Sequence, residues 1–118
     1  MSKKILIIED DTDTLDMMAY ILRDEGYDVV TAADCAPIAE VSILKPGLIL
    51  LDNRLGEGEG ADACKQLKAD ASTAQIPVVI VSANMQLAKL SQESHADDYL
   101  AKPFDISELV AMAKKYLP

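Results

Sequence analysis

The sequence predicts an α/β fold: a doubly wound, five-stranded parallel sheet covered by five helices. Three observations carry this. Short aliphatic runs alternate with amphipathic stretches along the whole chain. Three of those runs are almost unbroken by polar residues, the pattern of strands covered on both faces. At 118 residues the chain is long enough for one compact domain and too short for two, so 1–118 is read as a single unit.

Strands are expected at Ile5–Ile8, Tyr27–Thr31, Leu48–Leu51, Pro77–Val81 and Asp98–Ala101. Between the first two, Leu15, Met18, Ala19 and Leu22 recur at helical spacing, and Gly26 follows as a C-terminal stop. A short second helix is expected from Cys35 to Leu44, with Asp34 as its cap and Pro37 in its first turn. Lys45-Pro46-Gly47 ends it. A third helix, Ala61 to Ala69, turns Ala61, Cys64 and Leu67 to one face; a fourth, Met85 to Ser94, has the weakest pattern. The fifth is the clearest. Asp105 and Glu108 have capping-box spacing, and Ile106, Leu109, Val110, Ala113 and Leu117 form its apolar stripe.

Half of the chain is hydrophobic but only 4% is aromatic, so the core is aliphatic. Twenty acidic residues against 11 basic give a net charge of −9, which argues against direct binding to nucleic acid or an anionic membrane. Cys35 and Cys64, with the lone histidine His95, have no zinc-ligand spacing. No apolar stretch is long enough for a membrane span or a signal-peptide core, so cytoplasmic residence is expected.

The chemistry is carried by the strand ends. In doubly wound sheets ligands bind beyond the carboxyl ends of the strands. There this chain puts Glu9-Asp10-Asp11 after the first strand, Asp52 after the third, Ser82 after the fourth and Lys102 after the fifth. Adjacent carboxylates repel one another unless a cation sits among them, and Mg²⁺ favours oxygen ligands. One carboxylate can act as the nucleophile for a phosphoryl group, while the lysine and the hydroxyl serve its oxygens. Taken singly, Asp52 reads as a turn aspartate, Ser82 as an ordinary strand end and Lys102 as a surface lysine. Their convergence on one edge is what points to phosphoryl transfer.

Four segments, KILIIEDD, LILLDNRLGEGEG, IPVVIVSAN and ADDYLAKPF, occur in that order. With them the chain resembles, over essentially its full length, the receiver domain of two-component response regulators. The resemblance implies a flavodoxin-like receiver fold with strand order 2-1-3-4-5. It implies that Asp52 accepts a phosphoryl group from the phosphohistidine of a histidine kinase or histidine phosphotransfer protein. Asp10 would bind Mg²⁺ directly and Glu9 through water, joined by Asp52 and the backbone carbonyl of Arg54, while Asp11 starts the first helix. Lys102 and Ser82 would hold the phosphoryl oxygens, the Lys102–Pro103 bond would be cis, and Tyr99 would follow the phosphorylation state. The α4-β5-α5 surface would then change for a downstream protein partner. The protein would be a monomer or a weak phosphorylation-dependent dimer, and no enzyme beyond its own phosphorylation and dephosphorylation.

The chain departs from the family pattern in places. Gly56 stands where a proline is usual, inside Gly56-Glu57-Gly58-Glu59-Gly60, whose two glutamates would repel a phosphate cradled there. His95 stands where a glycine is common and would be strained if that position is left-handed; as a phosphorelay histidine it is a weak candidate beside a helix-ending surface residue. Arg54 and Asn84 flank the site, and Arg54 is long enough to shield an acyl phosphate from water. Other readings are a receiver cut from a longer regulator with DNA-binding or enzymatic output, and an interaction module that is not phosphorylated. A small aspartate-nucleophile hydrolase is disfavoured, because the second aspartate such enzymes carry is here Arg54.

Overall fold

The computed structural model describes residues 3–52, 59–83 and 86–118. The chain alternates β1 (Lys4–Ile8), α1 (Thr12–Asp24), β2 (Asp28–Ala32), a 3₁₀ turn (Ala36–Glu40), α2 (Val41–Leu44), β3 (Leu48–Asp52), α3 (Glu59–Ala69), β4 (Val78–Ser82), α4 (Leu87–Glu93), β5 (Asp98–Ala101) and α5 (Ile106–Tyr116). All strand pairs are parallel, in the order β2-β1-β3-β4-β5. The five expected strands are therefore present, each within a residue of its expected ends.

The period-two alternation of a strand divides the core into two layers. Ile5, Ile7, Leu48, Leu50, Val79 and Val81 face α1 and α5, meeting Leu15, Met18, Leu22, Leu109 and Ala113. Leu6, Ile8, Ile49, Leu51, Val78 and Ile80 face the other way, meeting Val41, Ala63, Cys64, Leu67 and Leu87. Because both faces are covered, β1, β3 and β4 must be aliphatic throughout.

The helix ends mostly follow the sequence. Asp11 caps α1 by accepting from Thr14 N at 3.2 Å, and Gly26 follows the helix at φ 96°. Asp105 accepts from Glu108 N at 2.8 Å while Glu108 accepts from Asp105 N, closing the capping box of α5. His95 is exposed just beyond α4 and does adopt a left-handed φ of 64°.

Three expectations need correcting. The stretch 35–44 is not one helix but a 3₁₀ turn running into the four-residue α2. Pro37 lies in its first turn and only Val41 is buried in α2, too small an apolar face to align one continuous helix. Asp34 does not cap it: Cys35 holds the N-cap position, without a side-chain cap bond. Ile106 was grouped with the buried stripe of α5 but is 62% exposed. It is the first residue of α5, and the buried face of that helix begins only at Leu109. Among the described residues, no helix is long and apolar enough to cross a membrane.

Candidate functional site

The strand order reverses between β1 and β3, whose connections leave in opposite directions and open a crevice at the carboxyl edge. Glu9 and Asp10 follow directly from β1, and Asp52 is the last residue of β3. One carboxylate oxygen from each of Glu9, Asp10 and Asp52 lies within 4.8 Å of the others. The cleft beside them, about 80 Å³, is also lined by Asp34 and Cys35.

Lys102 reaches this cluster from the end of β5. Its Nζ donates to Glu9 Oε1 at 2.5 Å and to Asp52 Oδ1 at 2.9 Å. Its backbone N–H donates to Ser82 O at 2.9 Å, continuing the pairing of Ser82 with Ala101. That register brings Ser82, the last residue of β4, close to Lys102, the first residue after β5. Ser82 is 2% exposed, and the Lys102–Pro103 bond is cis, as the resemblance implied. Tyr99 stands on β5, 44% exposed.

The electrostatics are those of a cluster short of positive charge. Glu9 is 1% exposed. Its burial, reinforced by the neighbouring Asp52 carboxylate and only partly offset by Lys102, pushes its carboxyl up to about 7. Burial works against the Lys102 ammonium, yet the bonds to Glu9 and Asp52 outweigh it and hold its pKa above the ordinary lysine value. Three carboxylates, oxygen donors with only one ammonium among them, suit a hard divalent cation.

Glu9, Asp10, Asp52, Ser82 and Lys102 thus meet at one edge, while Tyr99 lies further down β5. Asp11 is turned away into its capping bonds with the backbone N–H and hydroxyl of Thr14. Arg54, the segment around Gly56 and Asn84 lie outside the described residues. Sequence reasoning missed two things. It did not foresee that Lys102 binds Glu9 as well as Asp52. It also did not place Cys35 at the cleft, although its position just beyond the end of β2, on this same edge, was the available signal.

The fold and this cluster define a class of protein, and residues 5–114 match the family model of the response regulator receiver domain. The chain belongs to that family. Among curated relatives, the DNA-binding dual master transcriptional regulator RpaA of Synechocystis sp. is 39% identical over 97% of this chain, which covers 48% of that protein. The chain thus spans about half the length of the curated relatives it matches. A CheY-like response regulator receiver domain protein from Methanospirillum hungatei superposes with a TM-score of 0.86 at 28% identity, covering 99% of this chain and 94% of that one. The receiver domain of a sensor histidine kinase from Pseudomonas aeruginosa, solved with a magnesium ion in its active-site cleft, gives 0.86 at 26% identity, covering 99% and 98%. A receiver is a signalling domain.

Proposed function

We propose that Asp52 is the phosphoacceptor of a switch driven by a histidine kinase or a histidine phosphotransfer protein. The observation that carries this is the Lys102 ammonium held between Glu9 and Asp52 at the carboxyl edge, beside a third acid. An Asp52 carboxylate oxygen attacks the phosphorus of a phosphohistidine. The new P–O bond forms as the P–N bond breaks, and the electron pair returns to the imidazole nitrogen. Mg²⁺, when bound, would neutralise charge on the transferring phosphoryl oxygens. Asp10 and Asp52 would hold it directly, Glu9 through water, and the Arg54 carbonyl would complete the protein's share.

Lys102 then exchanges its bond to the Asp52 carboxylate for one to a phosphoryl oxygen, and Ser82 donates its hydroxyl to another. Both shifts draw β4 and β5 toward the site, and Tyr99 turns from its exposed position into the space released. A protein partner reads the α4-β5-α5 face, a two-state equilibrium biased by a few charge-assisted bonds. The receiver thus promotes only its own phosphorylation and dephosphorylation. Relatives named as DNA-binding are about twice as long, which favours the same receiver role within a longer regulator whose other half binds DNA.

Incubation with Mg²⁺ and acetyl phosphate, followed by intact-mass measurement, tests the reading. One added phosphoryl group is expected, lost on Asp52→Asn and on chelation of Mg²⁺. No adduct, or one that persists in Asp52→Asn, would overturn it.

A further inference from the structure

The cover of the sheet is unevenly built, and α4 is held more weakly than α1 or α5. Its N-cap, Gln86, provides no side-chain cap bond; its first turn carries no acid and its last turn no base. By contrast α1 is capped by Asp11, and α5 has a full capping box with Lys114 and Lys115 in its last turn. Such features each stabilise a helix end. Of the seven residues of α4 only Leu87 and Ser91 are buried, with Leu90 partly buried against the same layer, so a hydroxyl sits among the few side chains that face the sheet. Ser91 is 4% exposed, and its Oγ has no hydrogen-bond partner among the described residues. Its neighbour Ser94 differs: fully buried, it donates to Leu90 O at 2.9 Å and lies 3.2 Å from Ser91 O. Directly after it, His95 is held left-handed, a conformation that costs a non-glycine residue energy.

We propose that α4 opens locally while the rest of the fold stays intact, and that the desolvated Ser91 hydroxyl sets how often it does so. A buried hydroxyl without a partner recovers its lost hydration only when the helix leaves the sheet, so it raises the closed state relative to the open one. Leu87 and the packing of α4 on β5 pull the other way and keep the closed form dominant. The opening needs no phosphoryl group. It would supply the mobile partner-facing element that the proposed switch needs, and only that consequence rests on the phosphoacceptor reading.

Hydrogen–deuterium exchange on the unmodified chain, without Mg²⁺ or phosphodonor, tests this. Amides of α4 should exchange faster than those of α1 and α5. Ser91→Ala should slow exchange in α4 by about tenfold and leave α1 and α5 unchanged. Gln92→Ala, on the exposed side of the same helix, measures the gain from alanine's helix propensity alone and should be smaller. Ser94→Ala removes a bonded hydroxyl and should not slow exchange. Exchange in α4 no faster than in α5 would overturn the proposal. So would a Ser91→Ala effect equal to that of Gln92→Ala, or a Ser91→Ala variant that exchanges faster. None of these outcomes depends on whether Asp52 accepts phosphoryl.

Discussion

Asp10 offers the sharpest test of whether the acidic edge is built for a cation. It is the exposed member of the triad, so replacing it disturbs no buried packing. Two unit charges within 4.8 Å, at an effective dielectric constant of about 20, repel by about 3.5 kcal/mol or more, and Glu9, with its carboxyl pushed up to about 7, adds only part of a second such pair near neutral pH. Solvent screening at this open position reduces the net penalty to about 1 kcal/mol. For a chain of this size that corresponds to about 4 °C in Tm. Without metal, Asp10→Asn should therefore melt about 4 °C higher than the unaltered chain. With Mg²⁺ the order reverses. At a hundredfold excess over the dissociation constant, binding stabilises the unaltered chain by about 2.7 kcal/mol, or about 11 °C. Asp10→Asn should lose most of that gain. Thermal melts in EDTA and across a Mg²⁺ titration measure both effects. A variant that melts lower in EDTA, or that keeps the full Mg²⁺ shift, would refute the reasoning.

Other predictions follow from the same geometry. Lys102→Ala leaves Glu9 and Asp52 facing each other without their ammonium, and urea unfolding in EDTA should give a loss of about 3 kcal/mol; an unchanged midpoint would mean the pair is immaterial to folding. Burial pushes the Asp98 carboxyl up, but Lys115 Nζ at 2.6 Å, the Tyr99 N–H and the Tyr116 hydroxyl outweigh it and hold Asp98 below its ordinary value of 3.8. A depressed carboxyl adds stability above its unfolded value and loses it as pH falls through the folded one. Denaturation midpoints should therefore drop more steeply below pH 3.8 in the unaltered chain than in Asp98→Asn, and parallel curves would contradict this. Burial pushes the Cys64 thiol up to about 11, so native alkylation followed by peptide mass mapping should label half-buried Cys35 and spare Cys64. Equal labelling of both would show that α3 does not shield its thiol.

Much of the fold was legible because local patterns and tertiary demands agree. The runs at Ile5, Leu48 and Val78 could serve only as strands covered on both faces, and Asp11 and Asp105 start helices wherever the chain goes afterwards. The elements that escaped were those with little apolar surface. Residues 35–44 bury too little to dictate one helix, so proline geometry and the reach to β3 shaped them instead. Ile106 fits a helical period, but periodicity does not record where the sheet ends.

The candidate site divides in the same way. Charge and residue type by themselves determined that Glu9, Asp10 and Asp52 would end buried strands, because carboxylates cannot be carried into an aliphatic core and must emerge at its edge. They also determined the chemistry those groups can support, since oxygen donors, an amine and a hydroxyl are properties of the residues. What only the tertiary structure decided is proximity. Lys102 is 93 residues from Glu9 along the chain and 50 from Asp52, and its ammonium meets both because β5 reaches the same edge in parallel register. Burial, likewise, is a property of the assembled sheet. It pushes Glu9 up to about 7 and denies the Ser91 hydroxyl a partner, and neither effect is written in the identity of a glutamate or a serine.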